Sequence, residues 1–186
     1  MRDLVAELYF KVDGNPMIDI PTLETLRLVL RQFRQGDFEP LAKLSADPEV
    51  MRYLGDGKPQ TRVETWRNLA GFLGHWELRG YGLWAVEEKA TGEFVGRIGL
   101  LNPEGWPGLE VAWTLARERW GNGFATEGAR AAIRYAFEVL KANHLISIIH
   151  PDNAASVRVA LRVGEKLERH IEFFGVERLV YGIDPP

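Results

Sequence analysis

Trp120-Gly121-Asn122-Gly123-Phe124-Ala125-Thr126 is the stretch on which the fold turns. Leu109 to Leu115 leads into it with strand composition, and an amphipathic helix, Phe124 to Lys141, leads out. In that helix Ala125, Ala129, Ala132, Ile133, Ala136, Phe137 and Leu140 recur at helical spacing, opposite Glu127, Arg130, Arg134, Glu138 and Lys141. Glycines at a strand-to-helix turn let the backbone approach a ligand closely. The helix behind them offers unpaired N–H groups and the positive end of its dipole. Together these make an anion site suited to phosphate. The plainer alternative is a tight strand-to-helix connection with no ligand. The lysine and Ser/Thr of a Walker loop are missing, and the run is too short for the three-glycine dinucleotide fingerprint.

Working outward, Leu145 to Ile149 reads as a short buried strand, broken by Pro151-Asp152-Asn153, with a second helix to about Val163 and a stop at Gly164. Asn153 and Ser156 lie three apart and share a helix side. Asn153 suits an N-cap, whereas capping does not require Ser156. Toward the N-terminus, Leu83–Glu88 and Phe94–Leu101 are strands of a hairpin joined by Lys89-Ala90-Thr91-Gly92-Glu93. Thr61 and Glu64 form a capping box that opens a helix with Trp66, Leu69, Phe72, Leu73 and Trp76 on one stripe. Leu26–Arg34 has strand composition, Asp37 suits the N-cap of a helix to about Ala46, and Asp47-Pro48 starts a short helix. Two strands, near 166–173 and 178–183, close the chain. This order predicts an α/β (α+β) domain over 21–186, with a central mixed, mostly antiparallel sheet of about six to seven strands and helices on both faces. Residues 1–20 read as an N-terminal arm, and a homodimer contact is one use for it.

Composition narrows the function. The chain has 186 residues, 46% of them hydrophobic, enough for one domain with a real core. A formal net charge of −3 and no Lys/Arg block argue against general nucleic-acid binding. With no cysteine there is no disulfide, thiolate metal site or cysteine nucleophile. His75, His144 and His170 have no metal-ligand spacing with carboxylates, so no metal is expected. No apolar run reaches the ~20 residues of a membrane span, and the first residues do not resemble a signal peptide, so a cytoplasmic location is expected.

The glycine turn and the Asn153–Gly164 segment, in this order, resemble the GNAT superfamily of acyl-CoA N-acyltransferases, and within it the RimJ/RimL branch of ribosomal-protein N-terminal acetyltransferases. Pro21–Arg31 resembles the branch's opening strand, and Glu110–Leu115 its central strand. The resemblance implies acetyl-CoA in a cleft between splayed strands at 109–115 and 145–149. The pyrophosphate would take backbone N–H groups of Gly121, Asn122, Gly123, Phe124, Ala125 and Thr126. The acetyl carbonyl would meet backbone N–H groups of Trp113, Thr114 and Leu115, and Asn153 would border the cofactor. Where many relatives carry Gln or Arg, this chain has Trp120, so no side-chain phosphate contact is expected there; Arg117 and Arg119 either add charge or are solvated loop residues.

The implied reaction moves an acetyl group directly to a primary amine, a protein N-terminus or a small amine. It needs a base, a stabilised carbonyl oxygen and a leaving thiolate. Glu110 stands where many relatives carry the base, its plain reading being an exposed strand-end glutamate. Ser156 is the candidate partner for the thiolate, because Ala160 and Leu161 occupy the region where many relatives place a tyrosine. His150 is a second candidate base or a structural histidine. Trp106, in a Pro/Gly loop, is placed at the substrate mouth. Two other classes stay open: an acyl-CoA-binding regulatory module without turnover, and a nucleotide-binding domain.

Overall fold

The computed structural model describes residues 19–186; the arm proposed for 1–20 lies almost wholly outside them. One eight-stranded sheet runs in the order β1-β2-β3-β4-β5-β6-β8-β7. Its strands are β1 (Leu23–Glu24), β2 (Leu28–Arg31), β3 (Leu83–Glu88), β4 (Phe94–Leu101), β5 (Glu110–Leu115), β6 (Leu145–Ile149), β7 (Lys166–Phe173) and β8 (Val176–Ile183). The helices are α1 (Phe38–Ala46), α2 (Pro48–Met51), α3 (Arg62–Arg79), α4 (Phe124–Glu138) and α5 (Ala154–Val163). All pairings are antiparallel except β5 with β6.

The expected mixed sheet is present, with one strand more than the sequence reading counts. The extra strand, β1, lies just before the expected Leu26–Arg34 segment, of which β2 is the part that forms. Thr25 Oγ1 accepts from Leu28 N at 2.9 Å, and Thr25 N bonds the Leu28 carbonyl, closing a turn that leaves Leu26 88% exposed. The two-residue β1 then pairs back on β2.

Two apolar layers sandwich the sheet. On one face α4 packs its alanines against Leu28, Trp84, Ile98, Leu100 and Val111. The small side chains let the helix sit close, and Gly128 is the tightest point, since a Cβ there would meet Ile98 Cδ1 at 2.4 Å. On the other face Phe33, Leu41, Leu69, Leu83 and Ala85 join α1 and α3 to the sheet. The capping box at Thr61 and Glu64 forms as expected. Trp66 stays 55% exposed and Leu73 37%, however, while Leu69 and Trp76 are buried.

Asp37 departs from its expected role. Its side chain does not cap α1; it accepts from Arg31 at 2.8 and 2.9 Å and from Arg34 N at 2.7 Å, closing a 3-10 turn. A buried arginine draws the carboxylate more strongly than a helix N-terminus does. α4 also ends earlier than expected, at Glu138, and Lys141 takes a left-handed backbone (φ 55°) beyond it.

Candidate active site

The cleft begins where β5 and β6 part. The two parallel strands share a single register position, Glu110 with Ile146. Beyond it, side chains replace ladder bonds. Ser147 Oγ lies 2.9 Å from the Val111 carbonyl, and Ile148 N donates to Glu110 Oε1 at 3.3 Å. β5 remains fully paired with β4 on its other side. Backbone groups alternate sides along such a strand. Trp113 and Leu115 therefore share the side of Val111 and Leu109, whose carbonyls bond Ser147 Oγ and Ile146 N on β6.

At the end of β5 the chain makes the glycine turn. Gly121 and Gly123 both sit at φ 79°, a conformation that side chains other than glycine's rarely adopt. A Cβ at Gly121 would meet nothing within 4 Å. The glycines here serve the backbone angle, not close packing. Gly123 is the N-cap of α4, and no side chain caps it. The first helical bond runs from Glu127 N to the Gly123 carbonyl, so the N–H groups of Phe124, Ala125 and Thr126 precede it, as helix geometry requires.

The turn is held from outside by residues that local patterning did not single out. Glu127 takes bonds from Thr25 Oγ1 (2.6 Å), Arg27 N (2.8 Å) and Arg27 Nε (2.7 Å). Arg27 also donates to the Asn122 carbonyl at 3.0 Å and lies over the Phe124 ring. Trp120 Nε1 donates to the Leu115 carbonyl at 2.9 Å, tying the turn to the strand end. The Arg27–Glu127 contact spans 100 residues, so no window of sequence reveals it.

A cleft of about 410 Å³ collects most of the expected residues: Trp113, Thr114, Leu115, Gly121, Gly123, Phe124, Ala125, Thr126, Asn153 and Ser156. Asn122 is not among its lining residues; its side chain folds back on the carbonyls of Arg119 and Trp120. Asn153 caps α5 by accepting from Ser156 N at 3.1 Å. Trp113 Nε1 donates to Ser156 Oγ at 3.3 Å. An indole N–H can only donate, so the serine proton stays available. Arg52, Arg158 and Arg162 ring the cleft with positive charge. Arg119 lines it too but pairs with Glu88 and Glu93, and Arg117 pairs with Asp47, so both loop arginines are committed to ion pairs.

Glu110 is buried, against its plain reading as an exposed strand-end glutamate. Burial pushes its pKa up to about 7, opposed by the Trp106 hydrogen bond, the Ile148 N–H and the charge of Arg97. Trp106 Nε1 reaches Glu110 Oε2 at 2.6 Å, and the indole packs edge-on against Phe173 and Phe174. Glu110 does not line the cleft; it sits where the two strands diverge. A carboxyl poised near neutrality there can take a proton at ordinary pH. His150 is engaged structurally: its Nδ1 accepts from Asp152 N at 3.1 Å and its ring meets Tyr53. Among the described residues no group of three or more His, Cys, Asp or Glu side chains could hold a metal ion, and no helix is long and apolar enough to cross a membrane.

The chain is similar in sequence and fold to known proteins. The family model described as acetyltransferase (GNAT) domain matches residues 27–166. An uncharacterized Bacillus subtilis protein, YkkB, is 35% identical over 167 residues, covering 86% of this chain and 93% of its own. The FsC-acetyl coenzyme A-N(2)-transacetylase of Aspergillus fumigatus is 35% identical over 168 residues, 83% of this chain and 67% of its own. The crystal structure of an acetyltransferase from Agrobacterium tumefaciens superposes with a TM-score of 0.82 at 33% identity, covering 92% of this chain and 99% of that one.

Proposed function

The chain belongs to the GNAT acetyltransferase family, and from that premise we propose that it carries an acetyl group from acetyl-CoA directly to a primary amine. The observation that carries the reading is the uncapped N-terminus of α4, opening at Gly123 into the cleft where β5 and β6 part. Unpaired N–H groups and a helix dipole suit a pyrophosphate. The N–H groups of Gly121 and Gly123 through Thr126 would hold it, and the arginines at the rim favour an anionic ligand. The cleft volume suits a ligand of cofactor size, since such sites run to ~300–1,000 Å³.

Each reacting group has a candidate. Backbone N–H groups of Trp113 and Leu115, on the side of β5 that faces β6, would stabilise the carbonyl oxygen as it gains charge. Glu110 would accept the amine proton, directly or through water. Ser156, its own proton free, would donate a hydrogen bond to the departing thiolate. Catalysis comes chiefly from holding the amine against the acyl carbon. The RimJ/RimL branch belongs to this proposal through the Pro21–Arg31 and Trp120–Glu127 motifs, as do one domain over 21–186 and a cytoplasmic location.

A screen of amines and N-terminal peptides with acetyl-CoA, read by release of free thiol, tests the function. Thiol release that depends on an amine supports it. Tight acetyl-CoA binding with no transfer to any amine would make the protein a binding module instead.

A further inference from the structure

We infer that the acceptor is a small amine that also carries a carboxylate, with Arg97 binding the carboxylate and the amine lying toward Glu110. This rests on the proposed acetyl transfer and names its acceptor class.

The register of β4 on β5 places three cross-strand pairs on one sheet face: Arg97 with Thr114, Gly99 with Ala112, and Leu101 with Glu110. The middle pair is glycine and alanine, so little side chain fills the space between the outer two. Central strands of an eight-stranded sheet are normally covered, yet Arg97, Ala112 and Leu101 all keep some solvent exposure. Leu101 and Ala112 edge the apolar cluster of Phe33, Leu69 and Phe72 without being sealed by it, and we take this partly covered strip, with a guanidinium at one end and a carboxyl at the other, as the recess for the acceptor. Phe72 of α3 lies under Arg97, its ring centroid 5.0 Å from the guanidinium carbon. At the far end stand Trp106 and, packed against it, Phe173.

Arg97 has no hydrogen bond or ion pair among the described residues; its contacts are the Phe72 ring and the field of Glu110. This sets it apart from Arg27, Arg31 and Arg119, which all pair with carboxylates. Burial pushes its pKa down to about 10, with the Glu110 charge acting the other way. A guanidinium crowded by protein yet left without an anion is costly unless something supplies one. A carboxylate on the acceptor can, in bidentate fashion. The same acceptor's ammonium would face the group proposed to deprotonate it. Thr114, the partner of Arg97 across the strands, also lines the cleft, so the recess adjoins the backbone proposed to hold the acetyl carbonyl. A polycation would bring positive charge toward Arg97 and is disfavoured.

Matched acceptors test this. Phenylalanine, leucine and methionine are each compared with the amine lacking the carboxylate, and spermidine is added. Thiol release from acetyl-CoA is measured for wild type, R97M and R97K. At least one amino acid should exceed its matched amine by tenfold or more in kcat/KM. R97M should close that ratio, chiefly through KM, and R97K should restore part of it. Calorimetric binding of the same amino acids to wild type and R97M, with no acetyl donor, reads the recess apart from turnover. Binding that needs Arg97 without any acetyl transfer would keep the recess and refute the transferase reading. Equal use of amino acid and matched amine, a ratio untouched in R97M, or preference for spermidine would overturn the carboxylate assignment. Neither binding nor transfer for any amino acid would overturn it too.

Discussion

Glu165 and Ser147 are joined by a buried hydrogen bond. Ser147 Oγ lies 2.9 Å from the Val111 carbonyl and 2.9 Å from Glu165 Oε1. A hydroxyl has one proton, and a carbonyl can only accept. The serine proton is shared between two acceptors, the Val111 carbonyl and Glu165 Oε1, and a protonated Glu165 can supply a second. Glu165 is 1% exposed, and its Oε2 has no partner, a poor setting for a charge. Burial raises its pKa to about 8, with Glu110 and Glu168 adding to the rise and the Ser147 bond opposing it. The neutral carboxyl therefore helps to join β5, β6 and the end of α5 just where the cleft opens.

Stability should follow from this with a definite sign. A carboxyl whose folded pKa is raised binds more protons folded than unfolded, so its contribution falls as pH climbs from the unfolded value toward about 8. Glu165→Gln removes that loss and keeps a donor for Ser147. The variant should match wild type near pH 4 and exceed it at pH 8 by at least about 1.4 kcal/mol, one pKa unit's worth. Urea denaturation at both pH values measures the difference. A variant less stable than wild type at pH 8 would mean that Glu165 is ionised in the fold.

Glu110 should show itself in the pH–rate profile. As a base it works deprotonated, so kcat/KM should rise with pH through about 7. Glu110→Gln should abolish that limb and cost roughly 10²–10⁴ in kcat, with acetyl-CoA binding preserved. Trp106→Phe removes a bond that favours the charged carboxylate. Its limb should move to higher pH by about one unit, ~1.4 kcal/mol. A limb unmoved by both changes would belong to the substrate amine.

Ser156→Ala should slow the chemical step and spare binding. A hydrogen bond to a charged group is worth about 1.5–3 kcal/mol, so kcat should fall roughly tenfold to a hundredfold, with little change in the acetyl-CoA KM. Asn153→Ala should lower the melting temperature instead, because that side chain caps α5. The two variants, compared on one acceptor for which chemistry limits turnover, separate the roles. Wild-type turnover by Ser156→Ala would leave the thiolate to solvent.

The glycine turn can be probed against a matched backbone. Gly123 and Gly92 both have positive φ, 79° and 69°. Alanine at either position should cost about 1–2 kcal/mol of backbone strain. Gly123→Ala should also weaken acetyl-CoA binding at least tenfold, about 1.4 kcal/mol, by turning the N–H groups that precede the first helical bond. Gly92→Ala, in the β3–β4 hairpin, should bind normally. Equal calorimetric affinities in the two folded variants would place the anion elsewhere.

What the sequence determined by itself is what local geometry encodes. The periodicity of α4, the capping box at Thr61 and Glu64, and the hairpin at Gly92 each depend on residues a few positions apart, and all three formed. The GNAT motifs are likewise contiguous runs, which is why fold, family and about half of the cleft lining were legible in the sequence alone, whereas the Glu49–Leu54 side of the cleft was not. The Arg31 partner of Asp37 and the burial of Glu110 against Trp106 and the amide of Ile148 were not legible, because loop and strand geometry, not helical or strand periodicity, brings those groups together. Arg27 on Glu127, Glu165 on Ser147, and the space between Arg97 and Glu110 exist only once strands pair in register. Burial and the charges brought beside a carboxyl decide whether it titrates near 7 or stays an ordinary acid, and a linear chain carries neither quantity.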